Sequence, residues 1–180
     1  MNTKSGDRQD SDRIIKTFTN QYPGHELFHE SLIKKVGVFY FMTKFGGERF
    51  LWILSELQSN IDTRFSGEQL SLNGYEVLKC AVNRQNAEIL REHYPFTKPV
   101  LSGKQNAYGL GDRLGNAGVA HLKAVRKTSF KPVLAQRELT RTNRTAEEVL
   151  DAASWAVFQE GYREGFGADG DHLKNTDDIF

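Results

Sequence analysis

The sequence predicts an α/β protein: an incomplete (β/α) barrel reduced to its first three βα strands, preceded by a small α+β N-terminal region. Three observations carry that expectation. An aromatic and β-branched run at 36–45 is followed by Gly46-Gly47 and then by Phe50-Leu51-Trp52-Ile53-Leu54, which is the pattern of a hairpin. Beyond Pro99, short apolar or glycine-rich runs alternate with amphipathic helical stretches, which is the pattern of βα repetition. Three such strands can be read before Phe180, whereas a whole barrel takes eight units and roughly 250 residues. The expected organisation is a flexible arm over 1–25, a small α+β region over 26–98 and the first βα units of a truncated barrel over 99–180.

The arm opens on polar runs such as Lys4-Ser5-Gly6-Asp7-Arg8-Gln9-Asp10, which have no apolar periodicity to bury; Ile14, Ile15 and Phe18 suit one short helical turn. After the hairpin, residues 75–82 form a third strand. Its interior holds Cys80, flanked by Leu78, Ala81 and Val82; a single cysteine excludes an intrachain disulfide, and these neighbours favour a structural role. Residues 85–93 bring Ile89, Leu90 and His93 to helical spacing before Pro95 stops the helix. His93 closes that helix, since no second ligand stands four residues away, and the pair His25 and His29 has no third partner.

In the second half, residues 107–110 lead into a glycine-rich turn. Residues 116–127 then place Val119, Leu122 and Val125 on one side of a helix, with Lys123, Arg126 and Lys127 in its closing turns, where cations suit the helix dipole. Lys131-Pro132-Val133-Leu134-Ala135 is a second strand. Thr145 and Glu148 have the spacing of a capping box, which opens a helix running to Gly161, and Gly165-Phe166-Gly167-Ala168 opens a third strand.

Lys plus Arg number 24 against 23 Asp plus Glu, a net charge of +1 that makes no electrostatic case for nucleic acid. The polar N-terminus has no apolar leader, and no run approaches the roughly 18 apolar residues of a membrane span, so no membrane partner and a cytoplasmic location are expected.

Chemistry concentrates in three places. Gly109-Leu110-Gly111-Asp112-Arg113-Leu114-Gly115 is spaced G-x-G-x-x-x-G, one residue off the dinucleotide fingerprint, and nucleotide binding is set aside. Placed instead as the first βα loop at a barrel mouth, it lets Asp112 face substrate hydroxyls and Arg113 clasp a carboxylate; an intrachain Asp112 and Arg113 neighbourhood without a ligand fits the spacing equally. Gln136, at the end of the second strand, is placed to read hydroxyls. Asp169, Asp171 and His172 follow the third strand, where Gly170 lets the backbone leave the sheet so that Asp171 and His172 reach one site as base and metal ligand. A solvated acidic turn with an incidental histidine explains the same spacing.

Four stretches carry a family resemblance: Tyr108-Gly109-Leu110-Gly111-Asp112-Arg113-Leu114-Gly115, Pro132-Val133-Leu134-Ala135-Gln136, Trp155-Ala156-Val157-Phe158-Gln159-Glu160-Gly161-Tyr162, and Gly165-Phe166-Gly167-Ala168-Asp169-Gly170-Asp171-His172-Leu173-Lys174. Together they resemble the tagaturonate epimerase family, most strongly over residues 85–180. The departures are Gly170, where the family usually has Ala, and Arg137, where a second Gln usually follows Gln136. The resemblance implies a metal-dependent isomerase that interconverts the hexuronates D-tagaturonate and D-fructuronate, with Asp171 as proton acceptor and His172 as ligand to a divalent cation such as Zn, Ni, Mn or Co. It also implies that the proton donor and the other metal ligands lie beyond this chain. Two alternatives remain: an inactive fragment or non-catalytic sugar-acid binding module, and a metal-dependent aldolase or ketose isomerase.

Overall fold

The structure, a computed structural model, describes residues 3–56, 60–101, 103, 105–112, 115–136 and 143–168. It forms two compact units, Met1–Asn86 and Ala87–Phe180. The first is an antiparallel sheet of β1 (Glu26–Lys35), β2 (Val38–Phe45), β3 (Glu48–Glu56), β4 (Gly67–Leu72) and β5 (Tyr75–Ala81), in the order β1-β2-β3-β5-β4, with helix α1 (Thr3–Gln21) packed on one face.

The predicted hairpin is β2 and β3. Phe45 pairs with Glu48, and the two residues between them, Gly46 at φ 59° and Gly47 at φ 89°, take the left-handed conformations that a two-residue loop needs to match strand twist. Two further hairpins close in the same way. Leu72 pairs with Tyr75 around Asn73 and Gly74, and Lys35 pairs with Val38 around Val36 and Gly37, with Val36 at φ 49°. The central strands are buried on both faces, which is why their aromatic runs read so clearly. The edge strands β1 and β4 are largely exposed or half-buried, and their polar, weakly alternating sequences hide them from pattern reading.

The segment expected to be a flexible arm is instead α1. Phe18 meets Phe41 at 4.9 Å and Trp52 at 4.7 Å in edge-to-face geometry, and both Ile14 and Phe18 are fully buried. Lys34 Nζ donates to Asp10 Oδ2 at 2.6 Å, and that hydrogen bond with its charge holds the Asp10 carboxyl below the usual carboxylate range. The apolar residues of the helix that pack on the sheet, Ile14, Ile15 and Phe18, lie within five positions, so the periodicity within the helix was too short to announce it. The sheet supplies the partners.

The second unit takes in most of α2 (Arg84–His93) and a 3₁₀ turn (Pro95–Thr97), followed by β6 (Ala107–Gly111), α3 (Gly118–Val125), β7 (Lys131–Gln136) and α4 (Ala146–Gln159). β6 and β7 pair in parallel, and Val133 forms a single parallel bridge to Gly167, whose N–H donates to Pro132 O while its carbonyl accepts from Leu134 N, each at 2.8 Å. Leu122, Leu134, Ala153, Ala156, Val157, Tyr162 and Phe166 make its core. Arg91 Nη1 donates to Asp151 Oδ1 at 2.7 Å and to Ser154 Oγ at 3.2 Å, joining α2 to α4.

The expectation of an incomplete (β/α) barrel with three βα strands is overturned. The larger sheet is antiparallel and five-stranded, and among the described residues the parallel sheet has two strands, with Gly167 contributing one bridge in place of the third strand expected at 165–168. One strand-helix-strand step reads in sequence like the start of a barrel because local patterning reports the crossover and says nothing of how far the sheet continues.

Candidate functional site

The site is built where β6 and β7 end. Gly111 stands opposite Gln136 in register, so the next residue, Asp112, leaves the sheet beside the end of β7. In parallel sheets, ligands bind beyond these carboxyl ends, where the connecting loops converge. Asp112 uses its carboxylate to shape its own loop: Oδ1 accepts from Gly115 N at 2.9 Å and Oδ2 from Ala117 N at 2.6 Å, bringing the chain round into α3.

The next loop ends at Thr145, which caps α4. Thr145 Oγ1 accepts from Glu148 N at 3.2 Å and Thr145 N donates to Glu148 Oε2 at 2.9 Å, the reciprocal pair the sequence predicted. Arg144, just before the cap, turns back across the first loop and donates from Nη2 to Glu148 O at 2.8 Å. A Cβ on Gly115 would fall on the Arg144 guanidinium, so glycine, here at φ 71°, makes room for it.

Between these loops lies a cavity of about 30 Å³ bordered by Leu110, Asp112, Gly115, His121, Leu134 and Arg144. Two side-chain nitrogens of its lining, His121 Nδ1 and Arg144 Nη1, are buried and have no hydrogen-bond partner among the described residues. The sequence reading passed over both residues: His121 sits between the apolar positions Val119 and Leu122 of its helix, and Arg144 is overshadowed by the cap beside it.

Of the residues predicted from sequence, the structure brings the β-strand ends carrying Asp112 and Gln136 together, the latter described by its backbone. Arg113, Asp171 and His172 lie outside the described residues. Among the described residues, no group of three or more His, Cys, Asp and Glu side chains is placed to hold a metal ion. Cys80 is buried in β5, and burial pushes its thiol up to about 12, in keeping with a structural role. His25 and His29 form no metal pair: the His25 ring stacks on Phe45 at 4.6 Å, and its Nδ1 lies 2.9 Å from Thr43 Oγ1. No helix among the described residues is long and apolar enough to cross a membrane.

The model of a family described as tagaturonate epimerase matches residues 28–180. A tagaturonate/fructuronate epimerase of Thermotoga maritima is 37% identical over 170 residues, covering 92% of this chain and 35% of the relative. Crystal structures of fructuronate-tagaturonate epimerase from Cohnella laeviribosi, one native and one complexed with glycerol, superpose with a TM-score of 0.79 at 38% identity over 95% of this chain and 34% of theirs. The chain therefore spans about a third of the length of these relatives. With the match running through both units and across the loops just described, this chain belongs to the tagaturonate epimerase family.

Proposed function

We propose that the chain contributes to the epimerisation of D-tagaturonate to D-fructuronate, with the reacting sugar acid bound beyond the carboxyl ends of β6 and β7. The observation that carries this reading is family membership together with the parallel bridge at Gly167, since Asp171 and His172 follow it by four and five residues in sequence. Asp112, Arg113 and Gln136 are proposed as substrate contacts from the neighbouring loops, with the carboxylate of Asp112 also holding its own loop.

The two sugar acids differ at a carbon β to the ketone, whose C–H bond that carbonyl does not acidify. Inversion there is reached by retro-aldol cleavage and re-addition. Asp171 removes the hydroxyl proton at the inverting carbon; as its C–O bond becomes C=O, the bond to the carbon next to the ketone breaks and that electron pair forms an enediolate. Rotation of the aldehyde and re-addition to its opposite face, with return of the proton, gives the epimer. His172 is proposed to ligate a divalent cation, which when bound supplies Lewis-acid polarisation of substrate oxygens.

The test follows tagaturonate by NMR with a deuterium label on the inverting carbon, in protein carrying these residues and supplied with divalent cation. The label is expected to stay in place while the configuration inverts, and Asp171→Asn is expected to slow turnover by about 10²–10⁴-fold. Washout of the label at the rate of inversion would exclude the cleavage route. Full activity in the variant would remove Asp171 from the reaction.

A further inference from the structure

The small cavity between the two loops has two buried lining nitrogens, His121 Nδ1 and Arg144 Nη1, without a hydrogen-bond partner among the described residues. We propose that it is a carboxylate-binding pocket in which Arg144 Nη1 and His121 Nδ1 are the two donors. On the epimerase reading, on which this assignment of the ligand rests, the carboxylate is that of the hexuronate.

The argument begins with which groups are already engaged. Arg144 commits Nη2 to the main-chain carbonyl of Glu148, fixing the plane of the guanidinium and leaving Nη1 buried without a partner among the described residues. Among the described residues, two nearby acids accept main-chain hydrogen bonds: Glu148 Oε2 from Thr145 N in the capping box, and the Asp112 oxygens from Gly115 N and Ala117 N. An always-charged guanidinium thus faces the cavity, and no salt bridge to it is seen among the described residues. In the tautomer with its proton on Nδ1, His121 supplies a second donor.

Buried donors of this kind are stable when a partner arrives, and a carboxylate fits the fork of arginine better than water does. Leu110, Leu134, Val149 and Ala153 in the wall are apolar and strengthen a charge-assisted bond by excluding water, while Asp112, which also borders the cavity, directs its oxygens to Gly115 N and Ala117 N. About 30 Å³ suits a carboxylate group and is too small for a whole sugar, so the rest of the ligand would extend outward past Asp112. The arrangement depends on Gly115, because any side chain there would displace the guanidinium.

The test is thermal unfolding of the 180-residue chain titrated separately with sodium formate and with tagaturonate, at ionic strength held constant with chloride. Both are expected to raise Tm saturably in the parent protein. Arg144→Gln is expected to weaken each apparent affinity at least tenfold, with circular dichroism confirming the fold; Gly115→Ala, which leaves Arg144 present but displaced, is expected to do the same. A formate effect that needs Arg144, without a tagaturonate effect, would support the pocket and count against the epimerase reading. Tagaturonate stabilisation that survives both variants would overturn the pocket and leave the epimerase reading standing. No formate stabilisation of the parent protein would overturn the pocket outright.

Discussion

His25 shows how one side chain takes its character from its surroundings. Thr43 Oγ1 accepts the Trp52 indole N–H at 2.8 Å, which frees the Thr43 hydroxyl proton for His25 Nδ1 at 2.9 Å and so favours the neutral ring with its proton on Nε2. Stacking on Phe45 and edge contacts to Phe18 and Trp52 leave the ring half-buried among aromatic side chains. Burial, and secondly the positive charge of Lys79, hold its pKa below 6.5. The linkage sign follows. Above pH 6.5 the ring is neutral folded or unfolded; as pH falls below 6.5 the unfolded chain takes up a proton that the folded one resists, and stability is lost until the lowered folded pKa is reached. The urea midpoint of wild type is therefore expected to fall between pH 7 and pH 5, and His25→Asn to flatten that slope; parallel profiles for the two would rule out His25 as the source. None of this was visible in the sequence, where His25 stood beside Pro23-Gly24 and the aromatic residues that surround it lay up to 27 positions away.

At the scale of elements, legibility followed burial and local chemistry. β2 and β3 were readable because their interiors are apolar on both faces, β5 because Val77, Leu78 and Cys80 form a buried run, and the α4 cap because Thr145 and Glu148 satisfy each other within a single turn. The hairpin joining β4 to β5 had the strongest short signal available, Asn73-Gly74, yet the exposed sequence of β4 obscured it. The β1/β2 hairpin is a different case. Val36 occupies a left-handed position at φ 49° and is 87% exposed, so a β-branched residue bears backbone strain with no packing to offset it. Val36→Asn, which suits that conformation and leaves Gly37 in place, is expected to stabilise the protein by about 1 kcal/mol in chemical denaturation. An unchanged midpoint would show that the turn carries no such strain.

At the scale of the whole molecule, each compact unit contains one tryptophan, Trp52 in the first and Trp155 in the second, and each ring can report its own surroundings. Arg91 and Asp151, 13% and 10% exposed at their side chains, form an ion pair within the second unit. Removing one partner strands a nearly buried charge, so Asp151→Ala in a Trp52→Phe background is expected to cost about 3 kcal/mol in the transition reported by Trp155. A loss below about 1 kcal/mol would mean that solvent reaches Arg91 and replaces its partner. The sequence by itself determined the central strands, the helices with apolar stripes, the α4 cap, the burial of Cys80 and the family resemblance, because each is written in residues a few positions apart or in a contiguous motif. Tertiary structure alone decided that the N-terminal segment is an ordered helix, that the main sheet is antiparallel with two polar edges, and that Gly115, His121 and Arg144 border one cavity. Those outcomes depend on contacts between residues distant in the chain, and local periodicity does not encode such contacts.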